Sequence, residues 1–171
     1  AKVAGECTRV CREIGYPAGN TSMVLTPFDT VADMLRVTYG SVMDMFRQPD
    51  KLLEAIDIQL KLTIEHTIKN FPMTNCPLCM MPLHKEDETF MSDEQFRKFY
   101  WPSLQKLFVA MIEEGLVPFP FAEGKFNRRL KYIADMPKSG GRFDLAIALG
   151  ILAASGQVPD RRLEALECYG E

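Results

Sequence analysis

A histidine, a lysine and three acids occupy five consecutive positions, His84, Lys85, Glu86, Asp87 and Glu88, directly after a compact apolar run. An imidazole titrates near neutrality, so a histidine placed there can hydrogen-bond a bound molecule or shuttle a proton to it. The same ring could equally be tied to loop backbone in a structural role. Glu123 stands beside Gly124 after the next apolar run, VPFPF, at the equivalent place, and is the second candidate. Its plain alternative is a solvated loop carboxylate. Asp33 and Arg36 lie one helical turn apart and could meet an anionic ligand or simply each other.

Cys76-Pro-Leu-Cys79 followed by His84 offers two thiolates and an imidazole, three ligands of a zinc site with the fourth position open. The chain has no second Cys-x-x-Cys and no His-x-x-x-His, and Cys79 sits in an apolar run where a small buried hydrophobe suffices. We therefore expect no metal. The five cysteines, an odd number in a chain of 171 residues, read as reduced thiols rather than a disulfide framework.

The elements that must position these groups follow from periodicity. Residues 77 to 83 are short for a helix and fit a strand buried on both faces. Ser92 with Gln95 makes a capping box that opens a helix whose inner face is Phe96, Phe99 and Tyr100. Pro102 should kink or restart that helix, which continues through Leu104, Leu107, Phe108 and Met111 to Gly115. Residues 117 to 121 form another short apolar run, although Pro118 and Pro120 argue against a central strand. The loop leaving the carboxyl end of a strand is the usual carrier of binding and catalytic groups in an α/β protein.

Upstream, residues 2 to 14 suggest a short amphipathic helix, residues 22 to 25 a short strand, and Pro27 opens a helical segment that runs to Gly40. Leu53, Ile56, Leu60 and Ile64 mark the longest periodic helix, capped by Asp50. Downstream, a short basic helix at 126 to 133 precedes a break at 138 to 141. A nearly all-apolar helix at 143 to 154 and a last polar helix from Pro159 follow. The strand, loop, helix order predicts parallel crossover units.

A composition 47% hydrophobic and 25% charged is ordinary for a globular domain. A net charge of −3 gives no electrostatic reason to expect nucleic acid. No apolar run approaches the roughly 20 residues that span a bilayer, so no membrane partner is expected, and the chain reads as cytoplasmic. Residue 1 is Ala, which suggests a removed N-terminal segment or a piece of a longer chain.

The blocks PFDTVADMLRVTYGSVMDMFRQPDKLLEA (27 to 55), PLHKEDETFMSDEQFRKFYWPSLQKL (82 to 107) and EGLVPFPFAEGKFNRRLKYI (114 to 133) resemble the uroporphyrinogen decarboxylase superfamily. The branch that includes cobalamin-dependent methyltransferases is the nearest in pattern. The resemblance implies an α/β fold, a partial (β/α)8 TIM-type barrel, over residues 1 to 137. It implies His84 and Glu123 as catalytic groups and Asp33, Arg36 and Lys85 as substrate contacts. The ligand would be a tetrapyrrole or a methyl donor, with a corrinoid supplied through a partner protein. Glu86 stands where that family tends to have glycine, and Glu88 stands in place of aspartate.

A second resemblance covers ADMPKSGGRFDLAIALGILAASGQVPDRRLEALECYGE, 134 to 171, which is similar to the N-terminal domain of the magnesium-chelatase-like competence ATPases. It implies a helical tail over 138 to 171 joined to an unrelated first part. No G-x-x-x-x-G-K-[ST] phosphate loop accompanies it.

The leading expectation is accordingly tetrapyrrole decarboxylation or corrinoid-dependent methyl transfer by an incomplete, weakly active or inactive barrel. Its rivals are a non-catalytic fragment that associates with itself or with a missing barrel half, and a fragment of a competence-related ATPase.

Overall fold

The apolar run after Pro77 is too short for a helix to bury, and as an extended segment it pairs its backbone on both sides. The computed structural model describes Glu6 and residues 9–11, 13–15, 22–74 and 77–134. Cys76, most of the first expected helix and the whole tail from 138 to 171 lie outside those residues. Strand β2 (Leu78–Leu83) runs parallel to β1 (Ser22–Met23) on one side and to β3 (Val117–Ala122) on the other, giving the order β1-β2-β3. A complete barrel of the expected kind has eight strands; the described residues form three.

Between β1 and β2 the chain builds helix α1 (Pro27–Thr30), a π-helical turn (Val31–Leu35), α2 (Val37–Arg47) and α3 (Pro49–Thr74). Thr26 caps α1 by accepting the Asp29 amide on its hydroxyl, and Pro27 occupies the first turn, where its missing donor costs nothing. Val37 breaks the run from α1 into α2 with φ at 61°, a left-handed conformation that a β-branched residue adopts only against strain. Along α3 the buried stripe is Leu52, Ile56 and Leu60, so the expected face is met at Ile56 and Leu60 while Leu53 and Ile64 are only half-buried.

Between β2 and β3 the Ser92–Gln95 capping box forms as expected, with both reciprocal hydrogen bonds present. It opens α4 (Asp93–Gln95), which passes through a π-helical turn (Phe96–Tyr100) into α5 (Trp101–Glu113). Pro102 stands at the start of α5, so the expected interruption takes the form of a wider turn upstream and a fresh start. Gly115, at φ 77°, ends the helix and turns the chain into β3.

Register settles what each face of the sheet does. Cys79, Met81 and Leu83 point to the helix side and are buried. Leu78, Met80 and Pro82 pair with Val117, Phe119 and Phe121 and share the other face. That face is open: Met23 is 71% exposed, Phe119 55%, Phe121 50% and Leu78 41%. The expectation of a strand buried on both faces therefore holds for β2 only toward its carboxyl end, since on the second face Pro82 is buried, Met80 half-buried and Leu78 exposed. The prolines of β3 fit its edge position, because Val117 and Glu123 donate their amides to Pro77 and Leu83 of the β2 side. The alternate positions, 118 and 120, then face away from β2, where a missing donor breaks no bond in this ladder.

The chain divides into two units, Ala1–Phe126 and Asn127–Glu171. In the second, the described residues form a 3-10 turn (Asn127–Arg129) and α6 (Leu130–Ala134), in place of one continuous basic helix.

Candidate functional site

His84 is the first residue past β2, and Glu123 the first past β3. Because Leu83 is paired with Ala122, the next pair in register is His84 with Glu123, on the same face of the sheet. The structure brings them together: His84 Nε2 lies 3.5 Å from Glu123 Oε1. The other ring nitrogen, Nδ1, lies 2.8 Å from Asp33 Oδ2, on the π-helical turn after α1. Lys85 places its ammonium 2.8 Å from the second oxygen, Asp33 Oδ1. Three elements therefore converge on one imidazole.

A buried carboxylate holds the backbone of this loop. Asp29 accepts the His84 amide on Oδ2 at 3.1 Å, the Lys85 amide on Oδ1 at 3.0 Å and the Tyr100 hydroxyl on Oδ2 at 2.6 Å. Tyr100 is itself buried and stacks on Phe96 at 5.5 Å between ring centroids. Burial pushes the Asp29 carboxyl above the usual range, opposed by those three donors and by the Thr26 side chain. Tyr100 is pushed well above the ordinary phenol range, first by burial and then by the Asp29 charge. Asp29 has no place among the site residues read from sequence. The signal for it is an acid inside the apolar string PFDTVA, three residues after a capping threonine.

At the ring itself, the Asp33 hydrogen bond raises the His84 pKa, with the Glu123 charge adding to it against the opposing effect of burial. Burial tends to raise Asp33, but the hydrogen bonds from Lys85 and His84 outweigh it and hold that carboxyl below its usual range. A carboxylate that fixes one imidazole nitrogen, with a half-exposed carboxylate beside the other, is an arrangement that can serve general acid or base chemistry.

Not every expected contact forms. Arg36 does not face Asp33; it makes a two-pronged pair with Asp44 at 2.6 and 2.9 Å, which raises the guanidinium pKa and lowers that of Asp44. Arg36 stands just before α2 and spends two nitrogens on Asp44, so the pairing of Asp33 with Arg36 that the spacing allowed does not form. Lys85 is likewise committed to Asp33. Glu86 is buried, not a solvated loop acid. Asp87 accepts the Lys125 amide, so the loops after β2 and β3 are joined at a second point. No group of three or more metal-ligating side chains occurs among the described residues, and none of their helices is long and apolar enough to cross a membrane.

Comparison with known proteins places the recognisable similarity elsewhere in the chain. The family described as subunit ChlI of Mg-chelatase matches residues 132–171. The competence protein ComM of Haemophilus influenzae is 58% identical over 38 residues, 22% of this chain and 8% of that protein. The uncharacterized protein YifB of Salmonella typhimurium is 58% identical and that of Escherichia coli 53% identical over the same lengths and shares. The chain thus spans less than a tenth of the relatives it matches. No solved structure matches.

These matches overturn the leading expectation. The functional class they carry is that of magnesium-chelatase-like competence proteins, not a uroporphyrinogen decarboxylase, a TIM-barrel enzyme of that kind or a methyltransferase. Of the blocks that suggested the barrel enzymes, 82–107 and 114–133 run from a strand through a polar loop into a helix, whereas 27–55 is helical along almost its whole length. Any parallel α/β protein needs that order of residue types, so likeness on such blocks follows local structure.

Proposed function

We propose that this chain is a fragment-type member of the competence-related, magnesium-chelatase-like proteins, acting as an association piece and not as a nucleotide hydrolase. The match of residues 132–171 carries this reading. The 171 residues themselves carry no G-x-x-x-x-G-K-[ST] loop, so no ATP turnover is expected of this stretch by itself. The open sheet face, with Met23, Leu78, Phe119 and Phe121 exposed, supports association, since parallel sheets ordinarily bury both faces. The free thiol of Cys11 fits a reducing, cytoplasmic setting. Light scattering and a coupled ATPase assay on the full chain test it. The expected outcome is a mass of more than one chain with no ATP turnover; a monomer that hydrolyses ATP removes the reading.

A second reading rests on the 2.8 Å contact between His84 and Asp33. We infer that His84, with Glu123 beside it, exchanges protons with a small ligand at the carboxyl ends of β2 and β3. Diethyl pyrocarbonate, which acylates the unprotonated imidazole, probes this directly. Modification of His84 should quicken in Asp33→Asn, where the ring loses the carboxylate that favours its protonated form; an unchanged rate counts against a working dyad.

A further inference from the structure

The imidazole at the carboxyl end of the sheet faces two carboxylates at once, and its proton count decides how many of them it can satisfy. Asp33 meets Nδ1 at 2.8 Å from the π-helical turn, and Glu123 faces Nε2 at 3.5 Å from the end of β3. Both partners only accept hydrogen bonds when ionised, so serving both requires two ring N–H groups. Only the imidazolium has two. After loss of one proton the ring keeps a single N–H and presents a lone pair to one carboxylate.

Asp33 keeps that remaining N–H for geometric reasons. Its contact is the shorter, its side chain is 21% exposed against 48% for Glu123, and Lys85 holds its other oxygen at 2.8 Å. The backbone of His84 cannot move away to relieve the repulsion, because Asp29 grips the amides of His84 and Lys85. Glu123, half exposed at the end of an edge strand, is the partner free to swing into water. The charged groups facing the ring are therefore Asp33 from the π-helical turn, Asp29 from α1, Lys85 beside it and Glu123 from β3.

We propose that His84 is a single-proton latch that fastens the end of β3 to β2 when the imidazole is charged and releases Glu123 when it is neutral. The latch needs no ligand and stands apart from the association reading and from proton exchange with a small molecule. It acts beside two fastenings that do not titrate with the ring, the Glu123 amide donated to Leu83 at 3.3 Å and the Lys125 amide donated to Asp87 at 2.9 Å. Release therefore frees the Glu123 side chain and shifts the environment of residues 122 to 124 while the backbone ladder and the loop stay attached.

Ring and backbone NMR of the full chain, titrated from about pH 5 to about pH 9 across the imidazole range, tests this. His66, on α3, is separated from His84 by recording His66→Gln. The amides of Ala122, Glu123 and Gly124 should shift with the same midpoint as the His84 ring. In Glu123→Gln that midpoint should fall, and in His84→Gln the amide titration should vanish. Glu123→Gln alters a half-exposed side chain, so it reports even where His84→Gln fails to fold. Amides of 122 to 124 that titrate independently of His84, or a His84 midpoint indifferent to Glu123→Gln, overturn the proposal.

Discussion

Asp29 shows how one side chain can hold a loop that its own sequence neighbourhood does not mention. It takes two backbone amides and the Tyr100 hydroxyl in a dry setting, so truncation orphans three donors together. Each unsatisfied buried donor costs about 1–3 kcal/mol. Asp29→Ala should therefore lower unfolding free energy by about 3 kcal/mol or more, and Tyr100→Phe by about 1–2 kcal/mol, read from urea denaturation. The ion-pair cluster above it also sets a pH window. Asp33 is held below its usual range, so its contribution is complete above the ordinary Asp value of about 3.9 and is lost as pH falls through the folded value. His84 is raised, so its contribution is complete below about 6.5 and is lost as pH rises through the folded value. Stability measured in Asp33→Asn should lose the acid-side slope of this cluster; an identical pH profile would show that the pair carries no linkage.

At the scale of elements, strands and caps were legible because their causes are local. The Ser92–Gln95 box and the proline at the start of α1 depend on residues within a turn or two, and both formed; the apolar stripe of α3 formed too, but centred on Leu52, Ile56 and Leu60 and not on Leu53 and Ile64. Pro102 was legible as an interruption, but the π-helical turn before it was not, since its width depends on packing of Phe96 and Tyr100. The joint between the loops after β2 and β3 was equally hidden. A Cβ on Gly124 would run into the Asp87 side chain, which holds the Lys125 amide at 2.9 Å. Gly124→Ala should part the two loops at a cost of about 1–3 kcal/mol, the usual range for a forced overlap, with faster hydrogen exchange at Lys125. Unchanged protection there would show that the contact is yielding.

At the largest scale, the decisive feature of the described residues is a three-stranded parallel sheet, one face of which exposes Met23, Leu78, Phe119 and Phe121. Replacing Phe119 and Phe121 together by serine should weaken self-association by about tenfold or more while leaving the fold intact, because a buried phenylalanine contributes about 1.5–3 kcal/mol and these two are half exposed in the single chain. Sedimentation velocity reads that change; equal association in the double variant would move the interface elsewhere. The recognisable similarity lies in residues 132–171, which match subunit ChlI of Mg-chelatase, and not in the blocks that suggested a barrel enzyme.

The sequence by itself determined the order of strands and helices, the cap at Ser92, the pairing of interest between His84 and Glu123, and the competence-type string in the tail. These depend on neighbours along the chain or on one alternation of strand faces. Only the tertiary structure decided that Asp29 grips a loop 55 residues away and a tyrosine 71 residues away, that Arg36 turns to Asp44, and that one sheet face stays open. The reason is that partner choice among buried charges is set by which elements converge, and no local period in the chain encodes that convergence.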